Sequence, residues 1–172
     1  MNYKAKLHEI KAFVFDYDGV ISDGNIWSAN DTIIVRSGNV KDGYAMQYAL
    51  RKGYLIAILS GGSGDSIRSR MKMLGVEDVY LGSHRKKEIF EDFLKDKQLL
   101  PEQVLYVGDD IPDYDVMRLA GVSACPADAA EEIKAVADYI SHKNGGCGCV
   151  RDVIEQVLRL QGQWFHEDAK AW

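Results

Sequence analysis

The sequence predicts an α/β fold: a doubly wound, mostly parallel Rossmann-like sheet with helices on both faces. Three observations lead there. Short, almost wholly apolar runs at residues 13–15, 54–59, 104–107 and 122–125 read as strands buried on both faces. Stretches with helical spacing of apolar residues separate them, as right-handed crossovers require. Several of the runs stop abruptly in glycine and acidic or hydroxyl residues, where parallel sheets place their ligands.

In chain order, residues 13–20 are expected to form a strand that delivers Asp16 and Asp18 into a turn at Gly19. Residues 25–37 alternate polar and apolar around Asn30-Asp31, which suggests a β-hairpin flap with Trp27 on one arm and Thr32 to Val35 on the other. Asp42 reads as an N-cap for a helix that ends at Gly53. A strand over 54–60 then stops at Ser60-Gly61. A helix over 65–74 buries Ile67, Met71 and Leu74, and a short strand over 79–81 precedes a helix over 85–97 with Ile89, Phe90, Phe93 and Leu94 as its apolar stripe. After a turn at Pro101, the strand over 104–107 runs into Gly108-Asp109-Asp110, with Asp113 three residues on as cap of a helix to Ala120. Strand 122–126, helix 129–137, strand 139–140 and helix 150–160 complete the pattern. The tail, 161–172, carries Trp164, Phe165 and Trp172 and must pack on its own subunit or dock on another, and a site without a cap domain favours the second.

The chain of 172 residues, 47% of them hydrophobic, suits a single domain spanning 1–172 with a full core and no linker or internal repeat. With 21 basic and 26 acidic residues the net charge is −5, which argues against a nucleic-acid or membrane-binding face. No apolar run reaches bilayer length and residues 1–11 lack a signal-like core, so a soluble cytoplasmic protein is expected. Cys125, Cys147 and Cys149 are too few for a disulfide framework, and one C-x-C near His142 falls short of a zinc site.

Asp16 and Asp18 lie at i and i+2, so extended backbone would turn both into one cleft. Two acids that close require a cation with a taste for oxygen ligands, or one of them must hold a proton. For an isolated pair, a solvated turn would be the simpler explanation. Here the pair is followed by Ser60-Gly61, then Lys86, then Asp109-Asp110-x-x-Asp113. In order and spacing these resemble the four motifs of the haloacid dehalogenase superfamily.

That resemblance implies roles. Asp16 would attack phosphorus and form an aspartyl-phosphate, and Asp18 would protonate the leaving oxygen and then activate water. Ser60 and Lys86 would hold the phosphoryl oxygens, with Gly61 allowing close backbone approach. Mg²⁺ would be held by Asp16, the backbone carbonyl of Asp18 and Asp109, while Asp110 and Asp113 orient water, the metal or Lys86. Lys87 reads as a solvated helix residue. The short segments between Asp18, Ser60 and Lys86 leave no room for a cap domain, so another subunit is the expected cover.

Over nearly its whole length the chain is most similar to the capless, tetrameric 3-deoxy-D-manno-octulosonate 8-phosphate phosphatases, which serve lipopolysaccharide precursor synthesis. The similarity rests on residues 16–24, Asn39-Val40-Lys41-Asp42-Gly43, residues 108–113 and Gly145 to Arg151. It implies a homotetramer with the hairpin at its core, a glycine-rich loop or tail reaching a neighbouring site, and Arg70 meeting the sugar carboxylate. Two positions depart from many relatives: Gly62 stands in place of an arginine, and Cys147 in place of a basic residue. Relatives acting on nine-carbon sialic-type acid 9-phosphates tend to carry glutamate at position 62 and can carry lysine where this chain has Met73, so the eight-carbon acid is favoured. A phospho-accepting receiver domain is the reading from another class, but the strand ending at Ser60 offers no aspartate.

Overall fold

The computed structural model describes residues 3–28 and 34–171. In chain order they form α1 (Tyr3–Lys6), β1 (Ala12–Phe15), β2 (Ile26–Ser28), β3 (Ile34–Arg36), α2 (Val40–Arg51), β4 (Leu55–Leu59), α3 (Asp65–Leu74), β5 (Asp78–Tyr80) and α4 (Lys86–Asp96). They continue with β6 (Val104–Val107), α5 (Tyr114–Leu119), β7 (Val122–Cys125), α6 (Glu131–Lys134), β8 (Tyr139–Ile140) and α7 (Cys149–Leu160). Six strands make one parallel sheet in the order β5-β4-β1-β6-β7-β8. β1 lies between β4 and β6, so the chain order reverses across it. Ligand crevices open at such a reversal.

Side-chain alternation divides the core between the two faces of the sheet. Phe13 and Phe15 join Ile56, Ile58, Leu105 and Val107 under α2 and α7, while Ala12, Val14, Ala57, Leu59 and Tyr106 pack on Phe90, Phe93, Val116 and Met117. Among the described residues only the Tyr17–Ile21 bend, the β2-β3 hairpin and α2 lie between β1 and β4, and only α3 and β5 separate β4 from α4. The capless expectation holds. None of the described helices is long and apolar enough to cross a membrane.

Several local expectations are corrected. The first strand stops at Phe15, because the chain bends through Tyr17–Ile21 with Gly19 at φ +86°. The predicted turn at Asn30-Asp31, with Thr32 and Ile33, lies outside the described residues, but the two arms pair antiparallel, with Trp27 opposite Val35. The helix predicted over 129–137 shrinks to Glu131–Lys134. Asp113 does not cap α5 with its side chain, which turns inward instead.

The cap of α2 is Asn39, whose side chain accepts from the backbone N–H groups of Lys41 and Asp42. Asp42 serves another helix. Its two oxygens accept from the backbone N–H of Gly148, at 3.2 Å, and of Arg151, at 2.7 Å, so a buried carboxylate of α2 satisfies open donors at the start of α7. The favourable field of a helix N-terminus adds to this bond.

The tail packs on its own chain. Trp164 meets the edge of the Tyr48 ring at 5.4 Å, Lys52 pairs with Asp168 at 2.7 Å, and the Tyr44 hydroxyl donates to the carbonyl of Ala169. Trp172 lies outside the described residues.

Burial lifts the Asp42 carboxyl from 3.8 to about 6 against the pull of those amides. Between these values the native chain keeps a proton that the unfolded chain has released, so this group stabilises most at low pH and less as pH rises through the window. Asp42→Ala should therefore lower the unfolding free energy by about 1–2 kcal/mol near pH 4. Urea titrations should show the gap to wild type narrowing toward neutrality.

Candidate active site

Three adjacent strand ends build the site. β1 leads directly into Asp16, β4 into Ser60, and β6 into Gly108-Asp109, while Lys86 opens the helix that follows β5. Because β1, β4 and β6 pair in register, Phe15 lies level with Ile58 and Val107, and the residues beyond them share one rim.

At the centre is the buried ammonium of Lys86, which lies 3.0 Å from Asp16 Oδ2 and 2.7 Å from Asp113 Oδ1. Asp113, with no exposed surface, also accepts from the Tyr106 hydroxyl at 2.5 Å and from the backbone N–H groups of Asp109 and Asp110. Burial alone would make Lys86 easier to deprotonate, but Asp113 and Asp16 hold its ammonium above the ordinary lysine range. A lysine buried this deeply persists because both neighbours are acids.

Asp16, Asp109 and Asp113 have carboxylate oxygens within 4.8 Å of one another. Burial first, then the charge of Asp113, pushes Asp16 up to about 7 against the pull of Lys86. Burial, Asp16 and Asp113 push Asp109 to about 8. Asp109 Oδ1 is buried with no hydrogen-bond partner among the described residues. An orphaned carboxylate oxygen among acids that cannot all ionise fits a hard divalent cation. Asp113 has given its oxygens to Lys86, Tyr106 and two amides, which leaves Asp16 and Asp109 as the pair with lone pairs to spare.

The cavity in front of these groups has a volume of about 460 Å³ and is lined by Asp16, Asp18, Ser60, Gly61, Lys86 and Asp109, with Ser83 and His84 opposite. A larger one, about 770 Å³, opens beside Lys41, His142 and Arg151 and contains none of the strand-end acids. Ser60 is buried, and its Oγ accepts from the Gly62 amide at 3.1 Å. Asp110 stands exposed at the rim, with its side chain accepting from the backbone N–H of Ile111.

Asp18 lines the same cavity, but its carboxylate is not in the three-acid cluster. The chain leaves extended geometry after Phe15, so strand alternation does not govern where Asp18 turns. Its Oδ1 accepts from Arg36 Nε at 2.7 Å and from Ser22 Oγ at 3.3 Å. Arg36 was not foreseen, since nothing in the sequence marks a hairpin arginine as the partner of an acid 18 residues earlier. Arg70, half-buried on α3, stands against Gly43 and near Tyr17, outside the residues lining the cavity. The glycine-rich loop packs on its own chain, with the Gly146 amide donating to the Val20 carbonyl at 2.9 Å. Cys147 is exposed, whereas Cys149 is buried with its thiol on that same carbonyl.

Comparison with known proteins agrees with this geometry. A haloacid dehalogenase-like hydrolase family model matches residues 75–154. The 3-deoxy-D-manno-octulosonate 8-phosphate phosphatase of Salmonella typhi is 37% identical over 158 residues, 92% of this chain and 84% of the relative. That of Escherichia coli strain K12 is 37% identical over 159 residues, covering 92% and 85%. Among solved structures, the same phosphatase from Yersinia pestis superposes with a TM-score of 0.92 at 32% identity, covering 94% of this chain and 88% of its own. That from Moraxella catarrhalis, solved with a magnesium ion, a phosphate ion and KDO, gives 0.92 at 33% identity and covers 95% of each chain. Set beside four motifs gathered on adjacent strand ends, these similarities show that the chain belongs to the 3-deoxy-D-manno-octulosonate 8-phosphate phosphatase family of the haloacid dehalogenase superfamily.

Proposed function

We propose that this chain is a Mg²⁺-dependent phosphatase that converts 3-deoxy-D-manno-octulosonate 8-phosphate to the free sugar acid and phosphate, in the cytoplasm and as a homotetramer. The observation that carries it is the juxtaposition of the buried Lys86 ammonium, the Asp16 carboxylate and the orphaned Asp109 oxygen at one rim. The relatives named above act on that substrate by name, which supports the eight-carbon acid. So does position 62, where this chain has glycine and not the glutamate that nine-carbon relatives tend to carry.

Phosphomonoester hydrolysis is slow enough uncatalysed that enzymes accelerate it by up to about 10²¹-fold, so charge neutralisation and positioning must both be large. Mg²⁺ held by Asp16, Asp109 and the backbone carbonyl of Asp18 would screen the phosphoryl oxygens as the carboxylate approaches. Lys86 holds Asp16 in place and offers a further N–H to the phosphoryl group. Ser60 and the Gly61 backbone hold the remaining oxygens. An Asp16 oxygen forms the bond to phosphorus, the ester P–O bond breaks, and the leaving oxygen takes the proton of Asp18. Asp18 then takes a proton from a water whose oxygen bonds to phosphorus, and the bond between phosphorus and the Asp16 oxygen breaks to release phosphate and the free carboxylate. Arg70 is the candidate to meet the sugar carboxylate, and the exposed apolar hairpin, with Trp27 68% accessible, is the candidate contact between subunits.

Asp16→Asn should abolish phosphate release while the chain still unfolds cooperatively; turnover retained with excess Mg²⁺ removes the mechanism. At Gly19 the φ is +86° and a β-carbon would lie 1.9 Å from Asp109 Oδ2. Gly19→Ala should thus weaken Mg²⁺ binding by about 10-fold or more, read by calorimetry. With Asp16 and Asp109 raised to about 7 and about 8, the cation must displace protons, so its apparent affinity should rise as pH climbs from about 6 to 8. Light scattering should give four chains per particle, and the specificity constant should favour the eight-carbon over the nine-carbon ester.

A further inference from the structure

Arg36 is the last residue of β3, on a hairpin whose described apolar residues, Ile26, Trp27, Ile34 and Val35, are exposed. Its own side chain is only 5% exposed. Nε donates to Asp18 Oδ1 at 2.7 Å, Nη1 reaches the Ser63 carbonyl at 3.4 Å, and Nη2 occupies the space over Gly62. A second donor, the hydroxyl of fully buried Ser22, points at the same Oδ1. Asp18 Oδ2 is the oxygen turned toward Gly62, a residue of the cavity wall.

An exposed ion pair would be worth little, but this guanidinium is withdrawn from water, and its planar group is oriented by two anchors, Asp18 Oδ1 at Nε and the Ser63 carbonyl at Nη1. We propose that Arg36 is a positioning residue for Asp18: with Ser22 it engages Oδ1, and thereby presents Oδ2 to the cleft as the oxygen that gives its proton to the leaving group. The inference rests on the phosphatase reading above. Because the arginine is carried by the hairpin, the seat of the hairpin sets the orientation of the proton donor.

The leaving group provides the test. When the ester of a sugar alcohol is cleaved, the departing alkoxide must take the Oδ2 proton as the P–O bond breaks. p-Nitrophenolate leaves as a stable anion and needs no proton. In Arg36→Ala, kcat/KM for the 3-deoxy-D-manno-octulosonate 8-phosphate should fall about 10- to 100-fold, and for p-nitrophenyl phosphate less than about threefold. Arg36→Lys keeps the charge but not the fork and should show the same asymmetry at smaller amplitude. It carries the comparison if Arg36→Ala loses its cooperative unfolding transition. Equal losses on the two esters would mean that Arg36 only staples the hairpin to the loop, and a loss below about twofold on the sugar ester would mean that it does nothing for Asp18. Either overturns the proposal. Failure of the wild-type protein to release phosphate from either ester would instead overturn the phosphatase reading beneath it.

Discussion

One buried cation organises this molecule. The Lys86 ammonium sits between Asp16 and Asp113, and every other feature of the site is arranged so that this charge can stay in the protein. An unpaired ammonium there would cost several kcal/mol, and so would either acid without it. Asp113 is in turn fixed by Tyr106 from β6 and by two backbone amides, which ties α4, β6 and the loop after β6 into one unit. The sheet supplies the precision. Lys86, Asp16 and Asp109 come from separate segments, yet parallel pairing in register brings their starting points to one edge.

The surplus of acid over base at that edge has a chemical meaning. Asp16 is held above the ordinary carboxylate range by burial and Asp113, Asp109 by burial, Asp16 and Asp113, and one oxygen of Asp109 has no partner among the described residues. A site built only for stability would have filled that vacancy with a donor. Left open, it suits a cation brought in from solution, and the same field that raises these acids draws the cation in.

A second unit surrounds the first. The loop through Tyr17–Ile21 accepts the Gly146 amide at the Val20 carbonyl, the start of α7 is capped by Asp42 of α2, and the tail returns to α2 through Trp164 and Asp168. The hairpin is joined to the same loop through Arg36 and Asp18. Substitutions in the hairpin, the glycine-rich loop or α2 therefore reach the site without touching it. Pieces that look peripheral along the chain act as its supports.

The strands and most helices were legible in the sequence, because apolar runs and helical spacing are local signals: α3 and β8 match their expected bounds, α4 differs by one residue at each end and α7 by one at its start. Asp16, Asp18, Ser60, Lys86 and Asp109 were legible too, since each stands where an apolar run stops or a helix begins. The misreadings share one cause. Asp42 and Asp113 were read as caps of their own helices, but each spends its carboxylate on groups brought near only by packing, the start of α7 and the Lys86 ammonium. Arg36 was invisible because its distance from Asp18 is set by a hairpin turning back on a bent loop. What the chain determined by itself is the order of its strands and helices and the chemistry waiting at their ends. Which acid faces the lysine, which faces the arginine and which is left for a cation were decided by folding, because hydrogen-bond partners are chosen by proximity in space.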